Sequence, residues 1–294
     1  MTITVITAFA LLLALEINLV RHDRSKEMMF RSYQTNLLTF IFNDVLMSLL
    51  SVSSLLLLAE RYGHNGLLSG LNLQVKILIS LILLDLTLYF WHRANHRFDW
   101  LWMFHKVHHS DKFMNTTTTF RLHFIEVFLT TVIKMLFIIS MGIETIVIVI
   151  CETLTALFTM FHHANFYFKG EKWLGKLLVV PCIHRVHHSA LRKEHDNNYG
   201  AILSIWDRIF RTLCELQPKD IGLTNVKAQN FFELLRFGFM HTPAIPENAR
   251  PQAGILNAMI SEAAYYKAQM RGFSPGNELL DWLDAEKEIY KLYN

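Results

Sequence analysis

Histidines dominate the middle of the chain. Of its 15 histidines, eleven lie between residues 92 and 188, and eight of these form the groups HRANH, HKVHH and HRVHH. Residues three and four positions apart share one face of a helix, so each group directs two or three imidazoles the same way. The repetition of HxxHH favours a shared metal-binding role over chance. The predicted ligands are His92, His96, His105, His108, His109, His184, His187 and His188.

The composition indicates a membrane protein. Hydrophobic residues make up 52% of the 294 residues, and the mean hydropathy is +0.26, which is too apolar for an ordinary soluble protein of this size. The net charge is +3, and the sequence shows no sign of nucleic-acid binding. The three cysteines are too few and too scattered for a disulfide framework or a thiolate metal site. No dinucleotide or phosphate loop is recognisable, so electrons or cofactors are expected from elsewhere.

Long apolar runs predict about five spanning helices. Runs at 2–20, 37–59 and 73–91 are each long enough to cross the ~30 Å hydrocarbon core. Residues 124–161 fit two short antiparallel spans that form a tight hairpin around MGIE at 141–144. If basic loops face the cytoplasm, five spans that start outside bring all three histidine groups to the cytoplasmic face.

These patterns predict an all-α integral membrane protein with a cytoplasmic helical cap that carries a histidine-rich di-metal site. The expected domains are 1–72 (N-terminal spanning helices), 73–215 (catalytic membrane domain) and 216–294 (helical cytoplasmic tail). Catalytic zinc usually takes three protein ligands, so eight imidazoles indicate two metal ions. Imidazole binds zinc, copper, iron and nickel alike. A lipid substrate with inert C–H bonds favours iron and O₂ over redox-silent zinc.

Several polar residues near these groups are candidates for supporting roles. Asp85 shares a helical stripe with His92 and His96, which makes it a candidate partner for a ligand, in even competition with a structural role. His123, with Glu126 one turn on, fits a supporting or substrate-gating role as well as it fits interface anchoring.

The remaining histidines divide into one possible ligand pair and a set with ordinary roles. His162, His163 and Asn165 end the fifth predicted span on the inner side, where one of them could complete the coordination shell. His195 is expected at the surface, since it lies in a polar run. Surface or packing roles are expected for His22, His64 and His241.

The histidine segments resemble a known family. DLTLYFWHRANH, LWMFHKVHHS, FRLHFIE, FHHAN and HRVHHS, followed by DNNYGAILSIWDRIFRT, are together similar to the fatty acid hydroxylase superfamily, in particular its sterol desaturase branch. The similarity runs from about Asp85 to Thr212. It implies that the eight grouped histidines are iron ligands and that the family's HxN element falls on His163 and Asn165, with His163 the better ninth ligand. Asn198 and Asp207 are further supporting candidates within the last segment.

The resemblance also implies an activity, cofactors and partners. It implies a membrane-bound non-haem di-iron oxygenase that hydroxylates or desaturates a lipid. Two iron ions (Fe²⁺/Fe³⁺), O₂ and an external electron donor (cytochrome b5, ferredoxin or an NAD(P)H reductase) are the implied cofactors. The expected partners are a lipid substrate, the bilayer and a redox partner protein, with no nucleic acid.

The sequence indicates a class of substrate and a kind of membrane, but no single lipid. Sterol, hopanoid, carotenoid, alkylglycerol and fatty-acyl lipids all fit. The expected location is a bacterial inner membrane, with the endoplasmic reticulum as the alternative. The alternative function is a metal-binding membrane protein without oxygenase activity, such as a zinc-dependent hydrolase or a metal carrier.

Overall fold

Helices form the whole of the regular structure described. The computed structural model describes residues 2–19, 26–50, 55–223, 226, 230–240 and 253–291, and within them all elements are helical apart from two isolated β-bridges. A short 3-10 helix covers Thr116–Phe120. The α-helices are α1 (Thr2–Leu19), α2 (Lys26–Leu49), α3 (Leu55–Tyr62), α4 (Leu73–Arg97), α5 (Asp99–His109), α6 (Phe124–Met141), α7 (Thr145–His163), α8 (Glu171–Leu174), α9 (Pro181–His187), α10 (Arg192–His195), α11 (Ile205–Ile209), α12 (Phe231–Phe237), α13 (Ala253–Met270) and α14 (Glu278–Lys291). The all-α prediction is confirmed for these residues.

Three of the described helices are long and apolar enough to cross a membrane. They are α4, α6 and α7, and only 17–33% of the most apolar window of each is buried within the protein. Their outward faces carry exposed side chains such as Leu78, Leu136 and Ile146. Apolar surface of this extent is rare on soluble monomers and is expected where lipid replaces water. The chain is therefore a membrane protein.

Helices α3, α4, α6 and α7 share one apolar core. It includes Leu84, Leu88, Phe137, Ile138 and Val147, each at most 8% exposed.

The turn between α6 and α7 depends on a glycine. Gly142 ends α6 at a φ of 68°, in the left-handed region that side chains with a Cβ rarely adopt. A Cβ at Gly142 would also lie 2.7 Å from the backbone nitrogen of Gly66. This position therefore requires glycine, and α7 begins only three residues later.

The first predicted helix, at 2–20, agrees with α1, whereas the second differs from the structure. The run at 37–59 was expected to be one helix, but α2 starts at Lys26 and ends at Leu49, and α3 begins as a separate helix at Leu55. The first half of α2 contains many polar residues, so the sequence did not predict it as part of a spanning helix. Ser32, Asn36 and Asn43 lie on one face of α2 and are buried, because they pack against protein. The apolar part of α1, Ile3–Asn18, is shorter than α4, α6 and α7.

A buried polar cluster connects α2 to the loop after α5. The carboxylate of Asp111 accepts hydrogen bonds from Ser32, Asn36 and Thr118 at 2.8–3.0 Å. Arg121 donates to Asn36 Oδ1 at 3.1 Å. Burial alone would raise the pKa of Asp111, but the Arg121 guanidinium and these hydrogen bonds hold it below its usual value. The cluster fixes the C-terminal end of α5, where HKVHH lies.

Contacts divide the chain after Thr242 into two units. In the first unit, α12 packs Leu234 and Phe237 against Val107 of α5. The segment that follows the boundary predicted at 215/216 therefore packs, through α12, against a histidine-bearing helix. The division of the chain into a catalytic domain and a tail at that boundary stays a prediction. In the second unit, α13 and α14 pack through Leu256, Ile260, Ala285 and Ile289, and Arg271 pairs with Asp281.

Candidate metal centre

Nine buried or half-buried histidines form two groups that could each hold a metal ion. In each group, the candidate ligand atoms all lie within 4.8 Å of one another. The five-histidine group is His92, His96, His105, His109 and His187, and the four-histidine group is His108, His163, His184 and His188. These nine residues are the eight grouped histidines and the ninth ligand proposed from the sequence. The loops and helices between residues 92 and 188 thus bring every predicted ligand together.

Each HxxHH segment contributes to both groups. In α5, His105 and His109 belong to the five-histidine group, whereas His108 belongs to the other. In HRVHH the division is reversed, since His187 joins the five-histidine group while His184 and His188 join the other. Positions i and i+4 share a helix face, and position i+3 is rotated away from i+4. The segment HxxHH therefore supplies a pair to one group and a single ligand to its neighbour.

One imidazole in each group, called its central ring, makes the most close nitrogen contacts. His105 Nε2 is 3.1 Å from His92 Nε2 and 3.2 Å from His109 Nε2. In the other group, His163 Nε2 is 3.0 Å from His108 Nε2, 3.0 Å from His184 Nε2 and 3.2 Å from His188 Nε2. Two nitrogens that bind one metal ion at about 2.1 Å and at right angles are about 3.0 Å apart. The nitrogen spacing therefore fits a shared cation.

The hydrogen bonding of the rings also fits metal binding. Among the described residues, His96 Nε2 and His187 Nε2 are buried and have no hydrogen-bond partner. Buried polar atoms are normally paired, and a converging set of unpaired nitrogens is costly without a cation. Burial lowers the pKa of His187 well below its usual value, and the neighbouring imidazoles lower it further. The same holds for His108, His109, His184 and His188. Neutral imidazole is the form that binds a metal ion.

One short segment orients three ligands of the five-histidine group. Residues 196–199 present an acceptor to the Nδ1 atom of each ring. His96 Nδ1 is 3.0 Å from Asp196 Oδ1, and His187 Nδ1 is 2.7 Å from the Asn197 carbonyl. His92 Nδ1 is 2.9 Å from the carbonyl of residue 199. A proton on Nδ1 that is donated to these acceptors leaves the Nε2 lone pair for a metal ion.

Buried side chains hold this segment in place. Asn198 has a φ of 58°, and its side chain donates to the carbonyls of Ile183 and Cys214 at 2.9 and 2.7 Å. Asn tolerates the left-handed region better than most residues. The carboxylate of Asp207 accepts from the backbone nitrogens of Tyr199 and Gly200 at 2.8 and 3.0 Å. Within the described part of the chain, Asn198 and Asp207 form no hydrogen bond to an imidazole, but they position the acceptors that do.

Asp85 holds the backbone just after this segment and, among the described residues, has no histidine as a hydrogen-bond partner. Its carboxylate accepts from the backbone nitrogens of Ile202 and Leu203 at 2.9 and 3.1 Å, and from Trp206 Nε1 at 2.8 Å. Of the two roles that the sequence left open for Asp85, these hydrogen bonds favour the structural one over a direct bond to His92 or a neighbouring ligand. Asp85 lies on the same helix as His92 and His96, as predicted, but its buried carboxylate accepts from backbone N–H groups far along the chain and not from an imidazole.

Glu126 and Thr159 orient the two central rings. Glu126 Oε1 is 2.7 Å from His105 Nδ1, which agrees with the supporting role suggested by the sequence. His163 Nδ1 is 2.6 Å from the carbonyl of Thr159 one turn earlier in α7. In the described residues, the Nδ1 atoms of His108, His184 and His188 have no partner. The five-histidine group is thus held more completely than the four-histidine group.

Other candidate histidines lie outside both groups. His123 caps α6, since its Nδ1 accepts from the Ile125 backbone, and its Nε2 bonds to the Leu235 carbonyl. The His162 ring lies 3.9 Å from that of His184, beside the four-histidine group. Asn165 accepts from Arg185 at 3.3 Å and does not reach a ligand.

His195 is buried, contrary to the expected surface position. It is 3% exposed, stacks on Trp102, and bonds through Nδ1 to the Ser189 carbonyl at 2.9 Å. It also forms a third possible metal group with His96 and Asp196. The polar run that surrounds it suggested exposure, but α10 folds back onto the histidine groups. Of the histidines expected in ordinary roles, His64 is exposed, and His22 and His241 lie outside the described residues.

Sequence reasoning missed Asp196 and the backbone acceptors. Asp196 stands beside His195 in HDNN, and its acidic side chain next to a histidine is a weak signal that could have been used. The carbonyls of residues 159, 197 and 199 have no sequence signal, because every residue carries one.

A cavity of about 290 Å³ adjoins both groups. It runs between α4, α6 and α7, and histidines of both groups form one end of it. Much of the remaining wall is apolar, with Leu88, Trp91 and Ala156 among the lining residues. Such a cavity can accept a hydrocarbon segment and present it to the histidines.

Comparisons with known proteins agree with this arrangement. Residues 77–212 match the family model for Fatty acid hydroxylase, and residues 255–290 match a protein family of unknown function, DUF2934. An ornithine lipid hydroxylase, OlsE, from Rhizobium tropici is 29% identical over 164 residues, which are 54% of this chain and 49% of that protein.

Two human enzymes match at similar levels. Alkylglycerol monooxygenase is 28% identical over 206 residues, 70% of this chain and 44% of that protein. Cholesterol 25-hydroxylase is 29% identical over 147 residues, 47% of this chain and 50% of that protein. The chain thus spans about half the length, or less, of these relatives. No solved structure matches it.

Proposed function

From the premise that the chain belongs, through residues 77–212, to the fatty acid hydroxylase family, we propose that it is a membrane-bound non-haem di-iron oxygenase that hydroxylates or desaturates a lipid. The observation that carries the proposal is the pair of histidine groups at one end of a partly apolar cavity. Its relatives act on ornithine lipids, alkylglycerols and cholesterol, as their names state, which supports a lipid substrate.

The residues of each group would hold one iron ion. Bound iron would supply O₂ activation, with electrons from an external donor such as cytochrome b5, a ferredoxin or an NAD(P)H reductase. The protein fixes the imidazoles as neutral ligands through Glu126, Thr159 and the acceptors of residues 196–199. Imidazole also binds zinc, and the case for iron rests on the redox chemistry that the hydroxylase relatives perform.

The cavity would determine which carbon reacts. His92, His105 and His108 line its inner end, so a lipid chain threaded between α6 and α7 would bring one C–H bond beside the metal ions. Apolar walls would exclude bulk water there. Loss of one hydrogen followed by addition of oxygen gives an alcohol, and loss of a second hydrogen gives an alkene.

The proposal includes a topology. The predicted five spans, with the histidine groups at the cytoplasmic face, would let a soluble or membrane-anchored reductase reach the site from inside the cell. A bacterial inner membrane is the proposed location. A cysteine placed at exposed His64, which this topology puts on the opposite side from the histidine groups, should react with a membrane-impermeant maleimide only from outside.

Metal content provides the direct test. The protein purified in lipid nanodiscs should contain about two irons per chain and should consume O₂ when given a lipid and a reductant. His187→Ala and His108→Ala each remove one ligand from a different group and should each lower the iron content by about one and abolish turnover. His64→Ala, at an exposed position outside both groups, is the matched control and should keep both irons.

Three outcomes would count against the proposal. Full activity in His187→Ala or His108→Ala would remove the histidine groups from the mechanism. Zinc bound in place of iron, with no O₂ consumption on any lipid, would favour a zinc-dependent hydrolase or a metal carrier. Lipid profiles of cells with and without the gene that show no shift of one oxygen or two hydrogens would contradict a lipid oxygenase.

A further inference from the structure

An ion pair lies in the cavity wall away from the histidines. Lys134 of α6 donates to Glu152 Oε2 of α7 at 2.8 Å, and both residues line the cavity. Their side chains are 16% and 28% exposed. The second carboxylate oxygen, Glu152 Oε1, is buried and has no hydrogen-bond partner among the described residues. A residue of the cavity wall therefore keeps one carboxylate oxygen buried without a hydrogen-bond partner in the described residues.

The position of this pair is unfavourable without a function. Lys134 lies about two turns along α6 from Glu126, and Glu152 lies about three turns along α7 from His163, which correspond to roughly 12 and 16 Å. Half of the ~30 Å hydrocarbon core is of similar length, so the pair would lie near the middle of the bilayer. Ionised residues at that depth are costly and usually mark a binding site or pathway.

The charges and the unused oxygen limit what can bind. Lys134 and Glu152 together carry no net charge, so the pair gives a charged headgroup no net attraction. Glu152 Oε1 can accept one more hydrogen bond, which requires a donor on the ligand. Hydroxyl and amide N–H groups meet both conditions. Ethers, esters and hydrocarbon chains lack a donor.

We propose that Glu152, held by Lys134, recognises a hydroxyl or amide N–H group on the lipid that the histidine groups modify. This rests on the proposed function for the reaction, but the recognition itself is a binding property. It also sets a distance, since the donor at Glu152 and the carbon beside the histidines would be roughly 12–16 Å apart. The substrate class is thus a neutral lipid with a donor far from the reacting carbon.

A binding measurement tests recognition without turnover. The probes are a long-chain alkanol brominated at its far end and the methyl ether of the same molecule, which has lost only the donor. Trp91 lines the cavity and donates to Thr130 Oγ1 at 2.8 Å, so a bound bromine should quench its fluorescence. Trp91→Phe should abolish that part of the quenching, which assigns the signal to the cavity.

Wild-type protein should bind the alkanol about tenfold more tightly than the ether, the usual effect of one hydrogen bond to a charged group. A purely structural ion pair would predict equal affinity for both probes. The reversed pair, Lys134→Glu with Glu152→Lys, keeps the link between α6 and α7 but moves the carboxylate to the other helix. It should lose the preference while its unfolding temperature changes little.

Two further variants keep the test decisive. Lys134→Met with Glu152→Leu removes the pair with similar volume and should also bind both probes equally, which covers the case in which the reversed pair fails to fold. The matched control reverses Lys76 and Glu144, an ion pair at 2.6 Å that does not line the cavity, and should keep the tenfold preference. Equal binding by wild type, or a full preference in the Lys134/Glu152 variants, would overturn the proposal.

The same experiment separates this proposal from the oxygenase. Binding is measured in both metal-free and iron-loaded protein, so a donor preference without O₂ consumption would refute the oxygenase and leave the recognition site standing. With active enzyme, oxidation of the alkanol should fall at a carbon roughly 12–16 Å from its hydroxyl. In the reversed pair the position of oxidation should spread. A single oxidised position that is the same in both proteins would contradict recognition by Glu152.

Discussion

Replacing Glu126 with Gln should weaken one metal position and spare the other. The Glu126 carboxylate lies 2.7 Å from His105 Nδ1, and His105 Nε2 is the central nitrogen of the five-histidine group. The charged carboxylate fixes which nitrogen carries the proton and how the ring is oriented. A neutral amide in the same place can still accept a hydrogen bond but orients the ring less strongly.

The expected loss of metal affinity in Glu126→Gln follows from the contact between a carboxylate and a histidine of the metal group. Loss of a carboxylate that supports a ligating histidine typically costs 10–100-fold in metal affinity, or about 1.4–2.7 kcal/mol. The four-histidine group has its own central ring, His163, held by a backbone carbonyl that the substitution does not touch. We therefore expect one of two dissociation constants to rise about 10–100-fold in Glu126→Gln, and the other to change by less than about threefold.

Competition with a chelator measures both constants. Metal-free protein is titrated with Fe²⁺ under anaerobic conditions in the presence of a coloured chelator, for wild type, Glu126→Gln and a control. Glu144→Gln is the control, because Glu144 pairs with Lys76 and does not line the cavity. A second series in the His105→Ala background tests the pathway: if Glu126 acts through His105, Glu126→Gln should add almost nothing there.

Equal weakening of both metal positions would refute this reasoning, since it would mean that Glu126 acts through general stability. Additive losses in the His105→Ala background would refute it as well.

Three other changes have expected outcomes. Asn198→Ala should destabilise the protein by about 2–4 kcal/mol in denaturant titrations, because it loses buried hydrogen bonds and because Ala adopts the φ of 58° less readily than Asn, and Asn198→Gly should recover part of the loss. Arg121→Met should cost about 3–5 kcal/mol, since it removes the hydrogen bonds that Arg121 donates to Asn36, Ser110 and the Val107 carbonyl and the positive charge that favours the buried Asp111 carboxylate, and the part due to Asp111 should shrink at a pH low enough to protonate it. Metal-free protein should lose stability as pH falls below about 6.5, because His108 and His187 have lowered pKa values in the folded state and take up protons more readily when unfolded. An unfolding temperature that is flat between pH 8 and 5 in metal-free protein would contradict the last expectation.

The convergence of the nine histidines could be predicted because histidine spacing follows helix geometry. Imidazoles at i and i+4 of a helix lie on the same face, whereas i+3 is rotated away from i+4. This rotation explains why HKVHH and HRVHH each divide their histidines between the two groups. The count of eight grouped imidazoles also predicted two metal positions. These features depend on side-chain type and local spacing, which the sequence states directly.

The supporting contacts were less accessible because they depend on tertiary structure. Asp85 was placed on the correct stripe, but its partners are backbone N–H groups more than a hundred residues later. His195 was expected at the surface because its neighbours are polar, and tertiary packing buried it. The interpretation of 124–161 as largely apolar passed over Lys134 and Glu152, whose pairing across α6 and α7 has no local signature.

The α4 helix links the metal centre to the segment that orients it. His92 and His96 of α4 belong to the five-histidine group, while Asp85 of the same helix holds the backbone at 202 and 203, just beyond the acceptors at 196–199. Those acceptors in turn fix the Nδ1 atoms of His92 and His96. Asp85 of α4 thus positions the segment whose acceptors orient His92 and His96 of the same helix. Because the five-histidine group draws on α4, α5 and α9, no single segment can form it, and these hydrogen bonds hold three of its imidazoles in place.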